Sequence, residues 1–357
     1  MTELSDLPIR DDFRGLSPYG APQIDVPIQL NVNENNFGIP AAVADDIVAA
    51  IAGVVSGVNR YPDREFTALR ESLAAFIGHG VRAEQVWAAN GSNEVIQQFL
   101  QVFGGPGRSL LGFTPSYSMY PLYARGTYTE WVSAARAADF TLSAESAAAA
   151  VEREQPDVVV LVRPNNPTGT ALGLDVIEAV YDAAPGMVLV DEAYQEFSEL
   201  PSAIGLLPGR SRLAVSRTMS KAFAFAGVRL GYLIADPAVH DALRLVRLPY
   251  HLSAITQAAA TAALAHAPEM LANVDAIKAQ RDRILRELPA LGYAPWPSES
   301  NFVLFGGVAD PQRTFRGLVD RGIIVRDIGI PHTLRVTAGT PEETTAFLEA
   351  LSELPNN

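Results

Sequence analysis

The 357-residue chain has no cysteine. Disulfides, thiolate catalysis, zinc ribbons and iron–sulfur clusters are excluded together, and a cytoplasmic, redox-indifferent protein is the expectation. Positive charge is also short: 27 Lys and Arg stand against 40 Asp and Glu, a net charge of −13. Such a mean field repels nucleic acid and anionic lipid, so neither is expected as a partner, and a small anionic substrate needs Arg or Lys placed locally. No apolar run approaches the ~20 residues of a spanning helix. The opening residues Met1-Thr2-Glu3-Leu4-Ser5-Asp6 lack the basic flank and apolar stretch of a signal peptide. The five histidines, His79, His240, His251, His266 and His332, fall at no metal-ligand spacing, and no metal site is expected. Gly104-Gly105-Pro106-Gly107 lacks the Gly-Lys-Ser/Thr ending of a phosphate loop, and no Gly-x-Gly-x-x-Gly follows a strand, so nucleotide binding has no support.

What remains is an ordinary globular composition, 48% hydrophobic and 19% charged, long enough for two domains or one large one. Short β-branched runs alternate with helical patterns, which predicts an α/β fold with a mostly parallel sheet covered by helices. The expected strands are 85–89, 158–162, 187–190, 212–216 and 230–234. Residues 93–103 carry Val95, Ile96, Phe99, Leu100 and Phe103 on one helical face, with Ser92 as the expected N-cap. The Ala-rich stretch 134–150 reads as a connector followed by a helix. From about residue 256 the pattern changes to one long helical stretch, 258–291, then a strand at 301–305 and a helix around 312–321. Short strands at 323–326 and 333–337 precede a final helix at 341–351. A large domain of residues 28–255 is therefore expected, with an N-terminal arm, 1–27, and a smaller α+β domain, 256–357.

Three polar clusters stand at the ends of three apolar runs. Ser216-Arg217-Thr218-Met219-Ser220-Lys221 follows one, and an amine there can form a Schiff base if its surroundings lower its pKa. Asp191-Glu192-Ala193-Tyr194 follows another, where the Asp either caps a turn or keeps a cofactor nitrogen protonated. Arg163-Pro164-Asn165-Asn166-Pro167-Thr168-Gly169 follows the third, which by itself reads equally as a tight turn. Strand ends of this kind converge on the ligand-binding edge of an open α/β sheet. A fourth cluster, Asn90-Gly91-Ser92-Asn93, leads into a helix N-terminus, whose amides suit a phosphate or a structural cap. One phosphate, one aldehyde, one ring nitrogen and one phenolic oxygen would occupy all of these groups, and pyridoxal 5'-phosphate has them.

The order Asn-Gly-Ser, Asn-Asn-Pro-Thr-Gly, Asp-Glu-Ala-Tyr and Ser-Lys-Ala-Phe, with Arg229 eight residues beyond Lys221, resembles the fold-type I pyridoxal-phosphate enzymes. Within them it is most similar to the histidinol-phosphate aminotransferase family, its actinobacterial members in particular. Supporting segments are Leu30-Asn31-Val32-Asn33-Glu34-Asn35, Asn59-Arg60-Tyr61-Pro62-Asp63, Ser298-Glu299-Ser300-Asn301-Phe302 and Leu334-Arg335-Val336-Thr337. The resemblance implies transamination between histidinol phosphate and 2-oxoglutarate, in a homodimer with shared active sites. It makes Lys221 the Schiff-base lysine and proton carrier, Asp191 the partner of the pyridine nitrogen, and Tyr194 and Asn166 the donors to the phenolic oxygen. Tyr117 would stack on the ring. Ser92, Asn93, Thr218, Ser220 and Arg229 would hold the phosphate, with Tyr61 reaching it from the partner subunit. Arg335 would bind the substrate's anionic end, a carboxylate or a phosphate, and Tyr19, Asn33, Tyr250 and Arg326 are further substrate candidates. Arg163 stands where relatives carry a small or uncharged residue, so it either adds charge near the substrate mouth or points into solvent. Asn93 stands where many have Asp. An aromatic amino acid aminotransferase is the second reading, and a decarboxylase or C–S lyase the third. A cofactor-binding regulator is the rival from another class, but residues 1–27 are too few for a winged helix and the charge opposes DNA.

Overall fold

The computed structural model describes residues 4–18 and 20–356. In chain order its first half holds β1 (Ile28–Gln29), α1 (Ala41–Val55), α2 (Thr67–Ile77), β2 (Val86–Ala89), α3 (Ser92–Phe103), β3 (Ser109–Thr114), α4 (Tyr120–Gly126), β4 (Glu130–Ala135) and α5 (Ala144–Glu154). Then come β5 (Val158–Val162), α6 (Leu174–Ala183), β6 (Met187–Asp191), β7 (Leu213–Thr218), β8 (Gly231–Ala235), α7 (Pro237–Arg244), α8 (Ala254–Ala265), α9 (Ala267–Leu271) and α10 (Val274–Glu287). The chain finishes with β9 (Ala294–Pro295), β10 (Phe302–Gly306), α11 (Pro311–Val319), β11 (Ile323–Ile324), β12 (Leu334–Thr337) and α12 (Pro341–Ser352).

The main sheet has seven strands in the order β2-β8-β7-β6-β5-β3-β4. β7, β6, β5, β3 and β4 run parallel, while β8 is antiparallel to both of its neighbours. Every residue of β5, β7 and β8 is buried, as expected when helices cover both faces of the sheet. A second, antiparallel sheet orders β12-β10-β9, and β1 pairs with β11. Two hydrophobic cores result. One surrounds the large sheet and extends to Met270; the other joins Leu30 to residues between Val274 and Leu351 and reaches Tyr194, Phe197 and Ala222 beside the large sheet.

Four details differ from the sequence reading. β3 escapes a pattern search because Gly112 interrupts it; a Cβ there would lie 2.3 Å from the Trp131 ring, so the glycine makes room for its neighbour strand. β4, which the sequence reading lacks, ends in the first two residues of the stretch read as a connector, and as a half-exposed edge strand it carries a weak apolar signal. The long helix expected over 258–291 is broken near His266 and Asn273, with Pro268 in the first turn of α9, where its missing N–H is tolerated. Ser92 is the first residue of α3 rather than its N-cap. Gly91, at φ +90°, takes that place, a conformation serine adopts poorly.

Candidate active site

The carboxyl ends of β5, β6 and β7 open into a cavity of about 510 Å³. Lys221, Asp191, Tyr194, Asn166, Tyr117, Ser92, Asn93, Thr218, Ser220 and Arg229 all line it, together with Asn33, Arg326 and Arg335. Groups as far apart in sequence as Asn33 and Arg335 meet because parallel strands deliver their loops to one edge, while the second sheet brings β12 over the same opening.

Lys221 follows the end of β7, and its Nζ donates to the Val32 carbonyl at 3.0 Å. Burial, then the charges of Arg335 and Arg229, lower its pKa to about 8, against an opposing pull from Glu34. Asp191 ends β6. Burial raises its pKa, while a 2.7 Å hydrogen bond from Tyr120 Oη to Oδ2 and a 3.2 Å bond from the Ala193 amide to Oδ1 favour the ionised form. The Asp therefore does cap the following turn, and it also faces the cavity. Tyr120 is held far above the ordinary phenol range by burial and by Asp191, so it stays the donor of that pair.

Tyr194 Oη accepts from Asn166 Nδ2 at 3.2 Å and from Asn33 Nδ2 at 3.0 Å. Arg335, in β12, donates through NH1 to Asn166 Oδ1 at 2.7 Å and through NH2 to the Asn31 carbonyl at 2.9 Å, and it lies 5.0 Å over the Phe302 ring. Arg326 lines the same opening through its backbone pairing with Arg335 and donates to the Gly20 carbonyl at 3.3 Å. At the opposite polar corner the Thr218 hydroxyl donates to Ser220 Oγ at 3.0 Å and receives the Ser220 amide at 3.1 Å. The Ser92 and Asn93 amides open α3 there, ahead of the Glu94 amide, which donates to the Gly91 carbonyl at 3.1 Å. Gly231 is obligatory at this corner: a Cβ would fall 2.1 Å from the Ser92 amide nitrogen. Gly91 likewise leaves space for the Arg229 guanidinium, 2.7 Å from where its Cβ would be.

Two expectations change. Tyr250, expected in the substrate pocket, does not line the cavity of its own chain, and neither does Tyr61, whose expected place is the partner subunit's phosphate corner. They stack on each other at 4.4 Å, and Tyr61 is 80% exposed, because the segments that carry them share an outer surface. Arg163 neither edges the substrate mouth nor meets solvent: it is 1% exposed and paired with Glu192 at 2.9 Å. Asn33, a substrate candidate, spends its amide on Tyr194. Tyr19 lies outside the described residues. Sequence reasoning missed Tyr120, whose only signal is a second tyrosine three positions after Tyr117, and the Asn31 and Val32 carbonyls, which carry no side-chain signal at all.

Comparison with known proteins agrees with this geometry. Residues 25–351 match the family model for aminotransferase class I and II. A histidinol-phosphate aminotransferase from Paenarthrobacter aurescens (strain TC1) is 61% identical over 99% of this chain and 96% of its own length. One from Thermobifida fusca (strain YX) is 57% identical over 98% and 95%. The crystal structure of histidinol-phosphate aminotransferase from Sinorhizobium meliloti in complex with pyridoxal-5'-phosphate superposes with a TM-score of 0.83 at 26% identity, covering 92% of this chain and 90% of that one. An aminotransferase fold, a lysine and an aspartate lining one cavity, and near-full-length identity above one half lead to one conclusion: the chain belongs to the class I and II aminotransferases and, within them, to the histidinol-phosphate aminotransferases.

Proposed function

We propose that the chain uses pyridoxal 5'-phosphate to move an amino group from L-histidinol phosphate to 2-oxoglutarate, giving imidazole acetol phosphate and L-glutamate in histidine biosynthesis. The observation that carries this reading is that Lys221 and Arg335 face one cavity in a chain of net charge −13. The residues fit the cofactor. Thr218, Ser220, Arg229 and the first turn of α3 suit its phosphate, and the missing side chains of Gly91 and Gly231 let the Arg229 guanidinium and the Ser92 amide come close to that corner. Asp191 suits the ring nitrogen, Tyr117 a ring face, and Tyr194 with Asn166 the phenolic oxygen. When bound, the cofactor supplies the electron sink for breaking a bond at the substrate's α carbon.

The chain's own groups do the rest. Lys221 Nζ, with its pKa brought down to about 8, is the attachment point and then the carrier of the proton that leaves the substrate. Asp191, steadied by Tyr120, holds the proton on the ring nitrogen. Arg335 offers a planar pair of donors that meets a carboxylate or a phosphate equally, which lets one residue serve both half reactions. Arg326 is the second cation for the substrate.

A homodimer completes the reading. Tyr61 and Tyr250 stack on each other outside the chain's own cavity, and Leu245 and Leu248, close to Tyr250 in sequence, are exposed as well. A second copy covering this surface would receive Tyr61 at its phosphate corner and Tyr250 near its substrate. The proposed division is a large cofactor-holding domain, 28–255, and a small domain of 1–27 and 256–357; the two cores favour two units but place α8 and α9 with the large sheet and Leu30 with the second core. Among the described residues no helix is long and apolar enough to cross a membrane; the proposed cytoplasmic location rests on the cysteine-free composition.

Coupled half-reaction assays with histidinol phosphate and with phenylalanine test the substrate: a higher kcat/KM for phenylalanine would overturn it. Lys221→Ala is expected to lose covalent cofactor attachment and catalysis while its circular dichroism keeps the native spectrum. Borohydride trapping that maps the cofactor to another residue refutes the whole reading.

A further inference from the structure

Arg163 is the charged residue of its motif and has no part in the chemistry above, yet its surroundings are built around it. The guanidinium is buried, and it donates from Nε to the Leu172 carbonyl at 2.6 Å and from NH2 to the Pro201 carbonyl at 2.7 Å. NH1 donates to Glu192 Oε1 at 2.9 Å and to Gln195 Oε1 at 2.8 Å. These four acceptors belong to two loops. Leu172 closes the loop that leaves β5 and carries Asn166. Glu192, Gln195 and Pro201 belong to the loop that leaves β6 and carries Tyr194. Glu192 is in turn held by Arg217 from β7, at 2.9 Å, and by the Ser202 hydroxyl and the Ala203 amide, both at 2.7 Å.

Side chains alternate across each strand end. Val162, Asp191 and Thr218 line the cavity, while their chain neighbours Arg163, Glu192 and Arg217 meet behind it. On the cavity side, Asn166 and Tyr194 are joined to each other by a single 3.2 Å hydrogen bond, although both must address the same cofactor oxygen. A buried Arg–Glu pair is a poor source of net stability, because desolvation offsets its attraction. A planar fork with bonds to two separate loops is, however, a good spacer between them.

We infer that Arg163 is a positioning residue: by tying the two loops together behind the sheet edge, it sets the spacing and orientation of Asn166 and Tyr194 toward the cofactor's phenolic oxygen. The inference rests on the cofactor reading proposed above, and it deepens that reading.

Arg163→Met tests it, since methionine fills part of the volume without the bonds and Glu192 keeps its other partners. The first readout needs no substrate: the pH titration of the visible absorption of the bound cofactor, whose midpoint depends on donors to that oxygen. The midpoint is expected to move by about half a pH unit or more. Turnover is expected to show kcat lowered about tenfold with KM changed less than about twofold. Arg163→Lys, which keeps the charge but not the fork, should fall between the two. A variant whose melting temperature drops while the midpoint and kcat stay at their wild-type values would overturn the inference and leave Arg163 a structural residue. Should Arg163→Met fail to fold, Gln195→Met, which removes one of the four bonds, is measured the same way; a midpoint raised by weakened donation to the phenolic oxygen supports the role and an unmoved midpoint refutes it. A wild-type protein that binds no cofactor refutes the reading of the site itself, whereas a normal wild type beside an unshifted variant refutes only the part given to Arg163.

Discussion

Covalent capture of the cofactor requires Lys221 as the neutral amine, and the structure sets how much of it is neutral. An ordinary lysine with a pKa of ~10.4 is roughly 0.04% neutral at pH 7, and one at about 8 is roughly 9% neutral, a gain of about two hundredfold. The rate at which apoprotein captures pyridoxal phosphate should therefore rise about tenfold per pH unit up to about 7 and level between 8 and 9. Stopped-flow absorbance with apoprotein, at one cofactor concentration across pH 6 to 10, reads this directly. Arg335 is the first charge after burial among the causes of the shift, so Arg335→Met should raise the lysine pKa by about half to one unit and slow capture at pH 7 threefold to tenfold. The same shift acts on folding. The unfolded chain keeps that proton to ~10.4 and the folded apoprotein releases it near 8, so the burden of about 3 kcal/mol carried below pH 8 is relieved as pH rises through that window. A wild-type capture rate that keeps climbing tenfold per unit beyond pH 9 would refute the reasoning, because it would make Lys221 a solvent-like amine.

Tyr120→Phe removes the 2.7 Å donor to Asp191 and leaves the ring among Tyr117 and Tyr123. A hydrogen bond to a charged group contributes ~1.5–3 kcal/mol, so cofactor affinity at neutral pH should weaken about tenfold to a hundredfold in equilibrium dialysis, and an unchanged Kd would refute the role. Arg335→Lys keeps the charge and loses the fork, so kcat/KM should fall about tenfold to a hundredfold for histidinol phosphate and for glutamate alike. A loss confined to one substrate would show that the two half reactions do not share this residue.

Several features were legible because they depend only on near neighbours in the chain. β5 and β6 declare themselves as apolar runs, β7 opens as one over Leu213–Val215, and each leads into its polar cluster, so the convergence of Asn166, Asp191 and Lys221 at one sheet edge follows from parallel strands alone. Other features were hidden for physical reasons. Gly112 disguised β3, since its reason for being there is the Trp131 ring of the adjacent strand.

The sequence by itself determined the kind of chemistry, the main sheet and the residues offered to it, because residue type and strand-end position are local properties. Only the tertiary structure decided what those residues touch. Tyr120 meets Asp191 across 71 positions, Asn33 turns to Tyr194 across 161, and Arg335 reaches Asn166 across 169. Arg163 is pulled behind the sheet by Glu192, and Tyr61 and Tyr250 are left on the outer surface. Such pairings are set by how whole layers pack and by the need to give every buried charge a partner, and no short stretch of the chain encodes that requirement.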